Sequence, residues 1–173
     1  TLPGELHALT LQNKAVIYNL LFKATSETLT EVAAGWKDLK AKIGFFAILH
    51  TWGQKLDLHP HLHCVVPGGG ISLDGARWVH CPRGFLMPVK LLSRKFRGKF
   101  LALLKESHQR GELTLKGSLA DYSSQVAFND WLSPLYGKEW VVYAKPPWNG
   151  PEQVLKYLAR YTHRVAIANE RLL

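Results

Sequence analysis

At 173 residues with 47% apolar side chains, the chain is long enough to bury a real hydrophobic core, and its composition is neither disordered nor fibrous. Its 22 Lys and Arg against 13 Asp and Glu leave a formal charge of +9, which favours a polyanionic partner without choosing among DNA, RNA and an acidic membrane surface. Cys64 and Cys81 are too few for a disulfide framework and suit a reducing cytosolic setting, and neither a signal peptide nor an apolar run of the roughly 20 residues that span a bilayer is present. We expect one domain over residues 1–173. The interior-looking start at Thr1-Leu2-Pro3 and the stop at Leu172-Leu173, just after a helical pattern, suggest a piece of a longer protein.

In chain order, Ile17, Leu20, Leu21 and Ala24 recur at helical spacing and predict a helix over residues 13–28, with a second over 31–42. Residues 43–51 and 61–66 are short apolar runs separated by a polar connection, which reads as two adjacent strands. Pro67-Gly68-Gly69-Gly70 ends the second, and Asp74-Gly75 predicts a two-residue hairpin turn between Ile71-Ser72-Leu73 and Trp78-Val79. Residues 91–110 form an amphipathic helix, with Leu92, Phe96, Phe100 and Leu103 on one side and Lys90, Arg94, Arg97 and Lys105 on the other. That basic side is either a phosphate track or an ordinary solvated face. Residues 111–133 read as loop with some helix, 140–145 as a strand, and 151–164 as a helix opened by Pro151-Glu152.

His61 and His63 are spaced by two, so on a strand both imidazoles leave the same face and can converge on one ion. His50, at the end of the preceding strand, is a candidate third ligand if the two strands form a hairpin, with Gln54 and Asp57 as competitors. His59 shares the parity of the pair, although Pro60 obscures where the strand begins. A structural zinc site from Cys64, His80 and Cys81 is a further alternative, but the spacing matches no usual zinc module.

Tyr157 and Tyr161 stand at i and i+4 on the last helix, with their rings about 40° apart around the axis. Val154, Leu158 and Val165 define the buried stripe; Tyr161 falls beside it and Tyr157 on its edge, so the two are not equivalent. Lys156, Arg160 and Arg164 are candidate phosphate contacts, as are Arg94 and Arg97 of the earlier basic helix. His163 lies opposite the stripe, badly placed to reach the same ion. A phenol is a weak nucleophile at neutral pH, and a divalent ion polarising a scissile phosphate would offset this.

Together, Thr1-Leu2-Pro3, Leu49-His50-Thr51-Trp52-Gly53, His59-Pro60-His61-Leu62-His63, Pro67-Gly68-Gly69-Gly70 and Tyr157-Leu158-Ala159-Arg160-Tyr161-Thr162-His163-Arg164 resemble the two-tyrosine HUH nucleases, in particular the rolling-circle insertion-sequence transposases. The resemblance implies an α+β fold in which a mostly antiparallel sheet is backed by helices, like the palm of replication initiators. It also implies Mg²⁺ or Mn²⁺ on the histidine strand, single-stranded DNA as the partner, and cleavage and rejoining through a 5′-phosphotyrosine in the bacterial cytosol or nucleoid. Two other functions fit parts of the sequence. One is a non-catalytic nucleic-acid-binding module using Trp52, Trp78 and Trp148; the other is a metal-dependent hydrolase using His59, His61 and His63 around a water nucleophile.

Overall fold

The computed structural model describes residues 1–53, 57–82, 87–145, 147, 148 and 150–162, with side chains as far as residue 159 in the last helix. A 3₁₀ turn and the short helix α1 (His7–Gln12) lead into the long helix α2 (Lys14–Gly35). The two helices expected over 13–28 and 31–42 are one. Val32 and Ala33 extend the buried stripe of Ile17, Leu20, Leu21, Ala24, Thr28 and Leu29, and no breaker intervenes before Gly35. The rest of the second expected helix is a turn followed by the two-residue strand β1 (Ala41–Lys42).

The strands form two antiparallel sheets. β2 (Phe46–Trp52) pairs with β3 (Leu58–Val65), and β1 pairs with β4 (Gly69–Ser72), which in turn pairs with β5 (Trp78–His80). Gly69 and Gly70 permit this close approach: a Cβ on Gly69 would meet the Val79 carbonyl at 2.3 Å, and one on Gly70 the Lys42 carbonyl at 2.5 Å. The β4–β5 connection is longer than the expected two-residue turn. The Asp74 carboxylate accepts from Ser72 Oγ at 2.5 Å and from Ala76 N at 3.0 Å, closing a local turn over residues 73–76, with Ser72 N donating to the Arg77 carbonyl at 2.8 Å.

Helix α3 (Val89–Gln109) packs along α2, burying Phe96, Phe100, Leu101 and Leu104. Residues 111–133, read as loop with some helix, contain a 3₁₀ turn and most of α4 (Gln125–Gly137), which is capped by Ser124 accepting from Ala127 N. The loop before them is held from a distance. Asn13 donates to the Thr114 carbonyl at 2.9 Å and accepts from Thr114 N at 2.7 Å.

Residues 140–145 form no strand, contrary to the apolar pattern. Trp140 instead plugs the helical core at 5.6 Å from the rings of both Phe96 and Phe100, and its carbonyl accepts from Ser93 Oγ at 2.6 Å rather than from a ladder. The chain then reaches α5 (Pro151–Thr162). The architecture is α+β, antiparallel sheets backed by helices, as expected. Among the described residues no helix is long and apolar enough to cross a membrane.

Candidate metal and tyrosine site

The register of the β2–β3 ribbon sets Leu49 opposite Leu62, His50 opposite His61 and Ile48 opposite His63. Alternate residues of a strand face opposite sides. Leu49 and Leu62 turn onto the helical core, while His50, His61 and His63 gather on the other face. Between His50 and Trp52 the register shifts, so that His59 and Pro60 oppose Thr51 alone. Pro60 has no N–H for the ladder, and its carbonyl accepts from Leu2 N at 3.0 Å, which ties the amino-terminal segment to the histidine strand.

Each of the three histidines offers a ring nitrogen within 4.8 Å of the other two, and no carboxylate joins them among the described residues. His61 Nδ1 lies 2.5 Å from the His59 carbonyl oxygen. A carbonyl only accepts, so Nδ1 carries the proton and the Nε2 lone pair of His61 faces His63 Nε2, 3.0 Å away. Two ring nitrogens at that separation need a proton or a cation between them.

Burial, followed by the neighbouring His61, His50 and Lys145, holds His63 down at about 4. Burial also lowers His61 and His50 below the ordinary histidine value. All three rings are therefore neutral at pH 7, the state in which imidazole binds a metal. The donor set fits a divalent ion. An all-imidazole set suits borderline ions such as Zn²⁺ best, and of the two expected ions Mn²⁺ accepts nitrogen ligands more readily than Mg²⁺, which prefers oxygen.

Over this face lies α5, which packs against β2 and has Val154, Tyr157 and Leu158 half-buried. The Tyr157 hydroxyl is 2.7 Å from His63 Nδ1. Its ring is held by Trp148, at 4.7 Å between centroids, and by the Lys145 ammonium, 5.1 Å from the ring centre. Sequence reasoning missed Lys145 altogether. It stands twelve positions before Tyr157 on an irregular segment, where no helical or strand spacing connects the two.

The other expected residues are distributed as follows. Lys156 is exposed on α5; Arg160 and Tyr161 belong to the same helix, but their side chains lie outside the described residues, as do Gln54, His163 and Arg164 entirely. Arg94 is exposed on α3 and lines a shallow groove with Lys95 and Lys99. Arg97, on the same helix, donates to the Lys138 carbonyl. Asp57 sits beside Gly53 rather than in the histidine cluster, and His59 lies 5.1 Å from His61 between ring centres without joining it. Cys64, His80 and Cys81 form no metal cluster among the described residues; burial pushes the Cys64 thiol up to about 11.

Residues 44–173 match the family model described as "Putative transposase". The chain belongs to this transposase family. It is 56% identical over 172 residues to "Putative transposase y4qJ" of Sinorhizobium fredii, covering 99% of this chain and 43% of that protein. It is 24% identical over 175 residues to "Transposase for insertion sequence element IS801" of Pseudomonas savastanoi pv. phaseolicola, covering 99% of this chain and 40% of that protein. The transposase chain thus spans less than half the length of these curated relatives. No solved structure matches it.

Proposed function

We propose that this chain is the catalytic core of an HUH-type transposase that cuts and rejoins single-stranded DNA through tyrosine nucleophiles. One observation carries the reading: the hydrogen bond between the Tyr157 hydroxyl and His63 Nδ1, which joins a phenol to a cluster of three neutral imidazoles. A packing tyrosine has no need of a histidine whose other nitrogen faces a metal-binding set.

His50, His61 and His63 would hold the divalent ion, and Mn²⁺ fits their chemistry better than Mg²⁺. Such an ion stabilises negative charge on the non-bridging oxygens of a phosphodiester. The Tyr157 oxygen forms a bond to phosphorus as the bond to the 3′-oxygen breaks. The tyrosine then carries the 5′-phosphate, and the proton lost by the phenol is balanced by the one the released 3′-hydroxyl gains. Tyr161 offers a second nucleophile four residues on, so a second strand can be cut before the first is released. Lys156, Arg160, Arg164, Arg94 and Arg97 are the proposed DNA contacts, Arg97 with part of its donor capacity given to Lys138. Each phosphotyrosine conserves the bond for rejoining, so no high-energy cofactor is required.

The test is a trapping assay. End-labelled single-stranded DNA is incubated with the chain and Mn²⁺, then denatured, and a covalent adduct is sought. Tyr157→Phe and Tyr161→Phe should each leave adduct, and the double variant should leave none. Metal-dependent cutting without adduct would replace this reading with hydrolysis by a water nucleophile, and binding without cutting would replace it with a non-catalytic module.

A further inference from the structure

One ammonium stands beside the neutral histidine cluster without a carboxylate to match it among the described residues. It is that of Lys145, which stands over the Tyr157 ring, and its charge is close enough to oppose protonation of His63. Three imidazoles at the same place can accept a cation. Among the described residues no carboxylate joins the histidine cluster and none forms an ion pair with Lys145.

Among the described residues three other lysines are ion-paired, whereas Lys105, like Lys145, stands over a tyrosine ring, 5.0 Å from the centre of Tyr136. Lys95 and Lys99 pair with Glu31, Lys99 also with Glu27, and Lys138 pairs with Glu5. An uncompensated ammonium beside a metal site is electrostatically unfavourable until an anion arrives, and its attraction for that anion is correspondingly strong. The Trp148 ring already packs on Tyr157, so holding the phenol in place does not by itself call for a lysine.

We propose that Lys145 binds the phosphodiester that Tyr157 attacks, its ammonium reaching a non-bridging oxygen from the side of the Tyr157 ring. This rests on the tyrosine-nucleophile reading given above. Lys145 is exposed, so its four-carbon stem can swing from the ring face to an incoming phosphate without disturbing the core. The same contact serves the reverse step, in which the 3′-oxygen attacks the phosphotyrosine and the phenol leaves.

The experiment measures binding rather than cleavage, so that it stands apart from the nucleophile assignment. In a chain carrying Tyr157→Phe and Tyr161→Phe, which cannot form adduct, affinity for a short single-stranded oligonucleotide is measured against salt in the presence of Mn²⁺. Lys145→Gln should lower the slope of log affinity against log salt by about 0.7, the value for one lost phosphate contact on a single strand. Lys145→Arg should restore it. Neutralising single linkages in turn as methylphosphonates should reveal one position at which Lys145→Gln costs nothing further. Equal slopes for the parent and Lys145→Gln, or a Lys145→Gln defect of the same size at every neutralised linkage, would overturn the assignment. The tyrosine reading fails separately, by absence of adduct from the chain with both tyrosines intact.

Discussion

The helical layer and the β2–β3 ribbon are built to opposite specifications. In the helices Phe100, Phe128, Leu101, Leu104 and Leu132 are fully buried, and α2, α3 and α4 interlock around them. In the ribbon nearly every residue is only half-buried, Pro60 being the exception in β3. Burial of large apolar side chains is the main source of stability, so the helices hold the fold. The ribbon is anchored to them by one face, through Leu49 and Leu62, and its other face is left for the imidazoles. Residues that lose hydration without full compensation are tolerated there because the layer beneath carries the stability.

The largest effect that separates the two regions is on folding. Phe100→Ala should destabilise the chain by about 3–5 kcal/mol, the range for truncating a buried phenylalanine, as read from denaturant midpoints. His61→Ala should leave the metal-free stability within about 1 kcal/mol, since it removes one hydrogen-bonded polar group from a half-exposed position. It should nevertheless weaken Mn²⁺ binding by at least about 100-fold, or ~2.7 kcal/mol, measured by titration calorimetry. A loss of folding comparable to that of Phe100→Ala would remove the distinction between the regions.

A smaller effect concerns pH. His63 sits at about 4 in the folded chain against 6.5 for a free histidine, so the unfolded state binds its proton more readily. Metal-stripped protein should therefore lose stability as pH falls from about 6.5 towards 4, because ∂ΔG/∂pH is positive wherever the unfolded state carries more protons. His63→Ala should flatten that part of the profile, checked by thermal melts across the range. An unchanged slope would mean that the ring is not held neutral by the fold.

The two regions also differ in how far the sequence discloses them. His61 and His63 are legible because a strand has a period of two, and His50 because adjacent strands separated by a short polar connection pair in register. Tyr157 is legible from the helical repeat of its neighbours. The helical layer is legible in its stripes but not in its boundaries: residues 31–35 continue α2 because nothing in the local sequence stops it before Gly35. Trp140 misleads because an aromatic followed by Val141 and Val142 suits a strand, while its actual partners, Phe96 and Phe100, lie some forty residues away in α3. Lys145 is invisible for the same reason, since only tertiary packing brings an irregular segment beside Tyr157.

The central claim joins the ribbon to α5: the tyrosine hydrogen-bonded to His63 is a nucleophile that works with the histidine cluster. Its most direct test uses the Tyr161→Phe chain, single-stranded DNA and Mn²⁺, followed by proteolysis and mass mapping of the covalent product. The account predicts a nucleotide on the peptide containing Tyr157, lost on chelation and lost in His61→Ala. A nucleotide on any other residue, or adduct that persists without metal and without His61, would contradict it.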